Sequence, residues 1–234
     1  MSPEFGTCYI CPTPIGNLKD ITLRVLEALE SVDLIACEDT RRTIKLLNAY
    51  HLKKPLMVFN EHTKNEAQKR ILAHLEAGQS VAVVSDAGMP GIADTGHELI
   101  VACIERSIKL EVLPGATALI NGLVSSGLPC QQFLFINYLP RKQGKLLQLL
   151  EKIQADGFTI CAYEAPHRLV HTLALMKERY PDMEVCVCRE MTKLHEENIR
   201  GNIETVYNYF VQRKVMGEIT LIMRMKVEGD IADE

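Results

Sequence analysis

Short apolar runs alternate with stretches of helical period along the first half of the chain. Residues 8–11 read as a buried strand ended by Pro12-Thr13-Pro14. Ile21, Val25, Leu26, Leu29 and Val32 then recur at helical spacing behind Asp20 as the cap. Residues 34–37 form a second buried strand closed by Glu38-Asp39, and Thr40 caps a helix carrying Ile44, Leu47 and Tyr50. A third strand at 56–59 precedes a helix marked by Ala67, Ile71, Leu72 and Leu75 and closed by Gly78. A fourth strand at 80–85 runs into a Gly-rich loop, followed by a helix at 97–107, a strand at 109–113 and a small-residue helix ending at Ser126. Unbroken Val/Ile/Leu runs indicate strands covered on both faces, hence a parallel five-stranded sheet with ligands expected beyond the strands' carboxyl ends.

Gly127-Leu128-Pro129 breaks this rhythm, which predicts an N-terminal α/β domain over 1–127 and a C-terminal one over 128–234. In the second, strands at 133–138, 159–163, 184–189 and 218–225 alternate with helices at 143–155, 167–179 and 202–213. That pattern predicts a smaller α/β domain with a mixed sheet.

Composition narrows the class. At 234 residues, with 47% apolar and 24% charged positions, the chain can bury a core without a disulfide scaffold. No apolar run approaches the ~18 residues of a membrane span, and the start lacks the pattern of a signal peptide, so a cytoplasmic protein with no membrane partner is expected. Ser2-Pro3-Glu4-Phe5-Gly6 fits neither strand nor helix and reads as a cloning remnant. The eight cysteines lie mostly in apolar stretches, as reduced buried thiols do. Cys8-x-x-Cys11 has zinc-knuckle spacing but falls in a strand, so no metal is expected. The net charge of −4 argues against wholesale coating of nucleic acid. Basic residues still cluster: Arg41, Arg42 and Lys45 on one helix, and Arg141, Lys142 and Lys145 at the opening of another.

The chemistry-bearing segments leave strand ends. The loop from Asp86 to Gly96 holds three glycines and two aspartates, so its backbone can approach a ligand closely. Thr13-Pro14-Ile15-Gly16-Asn17 is not the glycine fingerprint of a dinucleotide fold, and the chain has no P-loop. Pro114-Gly115-Ala116-Thr117-Ala118 opens a helix with small side chains. Tyr163 to Arg168 and Arg189 to Glu197 pack charge beside strand termini.

These same loops resemble the ribosomal RNA small-subunit methyltransferase I family of the tetrapyrrole (corrin/porphyrin) methylase superfamily. The shared segments are Thr13–Leu18 with Asp20-Ile21-Thr22, Ala36–Arg41, Val84–Gly88, Pro114-Gly115, Ser126–Pro129, Leu139–Lys142, Tyr163–Leu169, and Arg189-Glu190 with His195-Glu196-Glu197. The resemblance implies two α/β domains with a cleft between them and S-adenosylmethionine as methyl donor. It further implies 2′-O-methylation of a cytidine in 16S rRNA, free or in the small ribosomal subunit, by a homodimer. The donor would then lie against Pro14, Gly16, the loop of Asp86, Ala87, Gly88 and Pro90, and Ala116, Thr117 and Ala118. Met89, Gly91, Ala93 and Thr95 depart from the family's usual Thr, Leu, Ser and Pro.

Methyl transfer from a sulfonium is an in-line displacement governed by orientation, and a weakly nucleophilic ribose hydroxyl gains from a base. Candidates for that role are Glu38, Asp39, Glu164, His167 and Glu190, while Arg41, Arg168, Arg189 and Lys193 are expected to hold phosphates. The competing readings are a methylase of a tetrapyrrole or other small molecule, and a non-catalytic module that binds the donor without turnover.

Overall fold

The computed structural model describes residues 5–154 and 157–225. Ser2, Pro3 and Glu4 of the expected remnant, and Ala155 at the expected end of a helix, lie outside them. Gly6 belongs to the fold, because it is buried and its N–H donates to Leu75 O at 2.8 Å. The chain forms two compact units, 1–117 and 118–234.

In the first unit, β1 (Cys8–Cys11), β2 (Leu34–Cys37), β3 (Leu56–Val58), β4 (Val81–Val84) and β5 (Leu110–Val112) make one sheet of order β3-β2-β4-β1-β5. Every pairing is parallel, so all carboxyl ends share one edge. Alternation along the strands serves two cores. Ile10, Ala36, Val81 and Val83 face α3 (Lys64–Glu76) and α4 (Gly96–Glu105) through Ile71, Leu75 and Leu99. Cys11, Ile35, Ala82 and Val84 face α1 (Leu23–Ser31) and α2 (Thr40–Ala49) through Val25, Leu29 and Leu47. Burying each such side chain stabilises the fold by about 1.5–3 kcal/mol, which explains the uninterrupted apolar runs.

Two caps differ from expectation. A 3-10 turn, Leu18–Asp20, occupies the position expected of an Asp20 cap, and Thr22 caps α1, its hydroxyl accepting from Val25 N–H at 3.2 Å. Asp39, not Thr40, caps α2 by accepting from Arg41 N–H at 2.8 Å. In both cases the earlier or later oxygen matched the helix start better than the residue that the apolar spacing suggested.

The second unit contains α5 (Ala118–Ser126), β6 (Phe133–Tyr138), α6 (Gln143–Gln154), β7 (Thr159–Glu164), α7 (Leu169–Arg179), β8 (Glu184–Arg189), β9 (Glu197–Asn202), α8 (Ile203–Val211) and β10 (Ile219–Arg224). Its sheet has the order β6-β7-β10-β8-β9 and is mixed, with only β6 and β7 parallel. One face packs on α6, α7 and α8 through Leu150, Leu173 and Phe210. The other meets α5, where a Cβ on Gly122 would stand 2.9 Å from Thr220 Cγ2. Only glycine allows this approach. That contact corrects the expected break at Gly127: α5 packs on the second sheet, so the units divide at Thr117.

Candidate functional site

Three loops meet at the carboxyl edge of the first sheet. Thr13, just past β1, exchanges two backbone hydrogen bonds with Gly88 beyond β4, at 2.9 and 3.0 Å. Thr13 Oγ1 donates to Ser85 O at 3.1 Å, and Ser85 Oγ donates to Gly88 O at 2.9 Å. Gly88 has φ +86, and a Cβ there would come 3.4 Å from Ile15 Cγ2 and 3.6 Å from Ala116 O. The expected donor loops at 13–16, 86–90 and 116–117 therefore converge across β4, β1 and β5. Gly16 and Ala87 are exposed, Pro14, Asp86, Ala116 and Thr117 are half-buried, and Pro90 is buried. Ala118 opens α5 and belongs to the second unit.

An acidic chain borders this cradle at the end of β2. Asp86 N–H donates to Glu38 Oε1 at 3.0 Å, and Asp39 N–H donates to Asp86 Oδ1 at 3.1 Å. Arg42 Nε stands 3.4 Å from Asp86 Oδ2. Burial, aided by the charges of Asp94 and Asp86, raises the Glu38 pKa above the usual carboxylate value. Burial also raises Asp86. Asp39 is the opposite case, held down at about 2 by hydrogen bonds from the Arg41 side chain and backbone. The cradle thus sets the exposed backbone of Gly16 and Ala87 beside the half-buried carboxylates of Glu38 and Asp86.

The second unit's candidates are occupied differently. Glu164, at the end of β7, has a fully buried side chain. Its Oε1 accepts from Ala165 N–H at 2.7 Å and stands 3.3 Å from Arg168 Nε, while Oε2 accepts from Thr172 Oγ1 at 2.7 Å. Arg168 Nη2 donates to Leu139 O and Pro140 O at 3.1 and 3.0 Å. This pair is an internal staple, so Glu164 does not present a base and Arg168 does not present a free fork. His167 is exposed in the turn before α7, which starts at Leu169 rather than at 167 as expected.

Arg189 is likewise spent on its own chain, through Glu197 Oε1 at 2.6 Å, Met216 O and His195 O. Lys193 Nζ bridges Glu190 Oε1 and Glu218 Oε2 at 2.8 and 2.9 Å. Burial would raise Glu190, but hydrogen bonds from Lys193 and from Glu218 N–H outweigh it and hold its pKa low. Glu190 and Thr192 adopt left-handed backbone, with φ 53 and 64, inside this knot. The expected phosphate ligands Arg168, Arg189 and Lys193 thus serve the fold.

Residues 7–207 match the model of the tetrapyrrole (corrin/porphyrin) methylases. The ribosomal RNA small subunit methyltransferase I of Thermotoga maritima is 44% identical over 94% of this chain and 99% of its own length. That of Bacillus subtilis is 39% identical over 99% of this chain and 79% of its own length. The chain belongs to the ribosomal RNA small subunit methyltransferase I family. Solved structures extend the likeness of fold beyond this methyltransferase I family. Diphthine synthase superposes with a TM-score of 0.71 at 14% identity, covering 94% of this chain and 89% of its own. The uroporphyrin-III C-methyltransferase of Thermus thermophilus complexed with S-adenosylhomocysteine gives 0.63 at 17%, covering 94% and 97%. Two members of the cradle were noted in the sequence only as part of a basic cluster and of a Gly-rich loop, Arg42 and Asp94, and were given no place in the site. Their signal was spacing: Arg42 lies on the first turn of α2, and Asp94 Oδ1 accepts from both Gly91 and Gly96 N–H groups.

Proposed function

We propose that this chain is an S-adenosylmethionine-dependent methyltransferase that methylates the ribose 2′-hydroxyl of a cytidine in small-subunit ribosomal RNA. The observation that carries the reading is the cradle of three strand-end loops bordered by Glu38 and Asp86, in a chain of this family. When bound, S-adenosylmethionine would supply a methyl group on a sulfonium, whose sulfur would keep the bonding pair and leave as the neutral thioether of S-adenosylhomocysteine. Backbone at Thr13–Gly16, Ala87-Gly88 and Ala116-Thr117 holds the donor, and the carboxylates of Asp86 and Glu38 offset its positive charge. The working protein is a cytoplasmic homodimer.

Among the proposed carboxylate bases, Glu38 borders the donor cradle, and burial raises its proton affinity above the ordinary carboxylate value. Asp39 and Glu190 are held low by cations, and Glu164 is sealed. Of the four carboxylates Glu38 is therefore assigned as acceptor of the ribose hydroxyl proton, with the exposed His167 as the alternative that an unchanged kcat in the Glu38 variant would favour. Glu38→Gln keeps an oxygen for the Asp86 N–H but removes one of the two charges facing the donor, so donor Kd weakens by less than about tenfold while kcat falls about 100-fold or more. An unchanged kcat overturns the assignment.

The decisive assay incubates the protein with methyl-labelled S-adenosylmethionine and unmodified small ribosomal subunits. Label in an alkali-resistant dinucleotide is the expected result. Donor binding without label in RNA overturns the ribosomal reading, and sedimentation equilibrium at a single protomer mass overturns the homodimer.

A further inference from the structure

Arg168, Arg189 and Lys193 are tied to internal partners, but other cations of the second unit are not. Arg141 and Lys142 precede α6, and Lys145 lies in its first turn; all three are exposed. Among the described residues none of the three has an ion-pair or hydrogen-bonding side-chain partner. The first turn of α6 also carries no acid. Three like charges crowd the positive end of a helix dipole, an arrangement that costs stability in the absence of an anion.

Beside them stands an aromatic group. Tyr138 closes β6 and is 59% exposed, yet its ring is held edge-to-face by Tyr163 at 5.7 Å, and Tyr163 packs on Phe135 at 5.2 Å. The register of β6 against β7 shifts between Phe135 and Tyr138, where Asn137 takes φ 54 and leaves a buried Oδ1 without a partner. The strap that follows is pinned where Arg168 donates to Leu139 O and Pro140 O. A rigid exposed ring next to unpaired cations is the combination that binds single-stranded nucleic acid.

We propose that Tyr138 stacks a base of the RNA substrate while Arg141, Lys142 and Lys145 hold the adjoining phosphates, the strap being fixed by the Glu164–Arg168 pair. This rests on the ribosomal RNA reading above. The test measures binding of a fluorescein-labelled single-stranded fragment of small-subunit rRNA across a salt series, with donor affinity recorded in parallel. Replacing Arg141, Lys142 and Lys145 together by Gln lowers the log–log salt slope by about 2, roughly 0.7 for each phosphate no longer neutralised. Tyr138→Ala weakens binding about tenfold, and Tyr138→Phe restores it, because stacking needs the ring and not the hydroxyl. A Phe variant as weak as the Ala variant overturns the stacking role. Methyl transfer by the unaltered protein separates the two readings. Transfer together with an unchanged slope in the triple variant overturns this surface and leaves the methyltransferase standing. No transfer, with the slope lowered, overturns the methyltransferase and supports this surface.

Discussion

At the scale of single residues, neighbours decide what a carboxylate does. Glu38 and Glu190 both end strands, but burial prevails at one, while at the other burial is outweighed by hydrogen bonds from Lys193 and Glu218 N–H together. Their contributions to folding run in opposite directions with pH. Glu38 binds its proton more tightly when folded, so its contribution fades as pH rises from about 4.5 through its raised value. Glu190 binds its proton less tightly when folded, so its contribution is present above about 4.5 and is lost as pH falls through its lowered value. Glu190→Gln is accordingly expected to flatten the acid limb of a urea-denaturation series against pH, whereas Glu38→Gln leaves that limb in place. Glu164 makes a third case. Glu164→Ala strands Arg168 in a nearly closed site, and removing one partner of a buried pair costs about 3–5 kcal/mol. Urea midpoints measure that loss. None of these differences was legible in the sequence, where all three residues are acids at strand ends. What separates them is which neighbours reach each carboxylate, some close in the chain, such as Lys193 and Arg168, and some distant, such as Glu218.

At the scale of elements, the sequence was most informative where both faces of a strand are covered. β1, β2, β4 and β8 begin and end as the apolar runs predict, within a residue at each end. β9 was not foreseen. Glu-Asn-Ile-Arg-Gly-Asn contains one large apolar side chain, Ile199, and poor strand formers around it. It is an edge strand that pairs with β8 over all six of its residues, so backbone hydrogen bonds supply what side chains do not. The donor loops were legible for a different reason: their glycines and prolines have few alternative uses at a strand end. Gly88→Ala tests the tightest of them. A left-handed backbone at a non-glycine residue costs about 1–2 kcal/mol, and the lost Thr13–Gly88 bridge should weaken S-adenosylmethionine binding, read by calorimetry.

At the scale of the whole molecule, the sequence anticipated two α/β units but put their junction too late. The small residues of α5 look like the tail of the first unit's alternation of strand and helix. They serve instead to let a helix lie close on Thr220 and Ile222 of the second sheet. Leu123 and Ser126 are buried along with Gly122 in that helix. A fragment beginning at Ala118 is therefore expected to fold cooperatively, and one beginning at Leu128 to aggregate, as size-exclusion chromatography and circular dichroism would report.

Seven of the cysteines are buried, and burial pushes the thiols of Cys11 and Cys161 up to about 12, beyond the reach of neutral-pH alkylation. Cys130, just ahead of β6, is exposed. A maleimide dye should therefore mark the native protein at one position without any engineered cysteine, beside the strand that carries Tyr138. Arrival of RNA could then be followed by stopped-flow on the unaltered sequence.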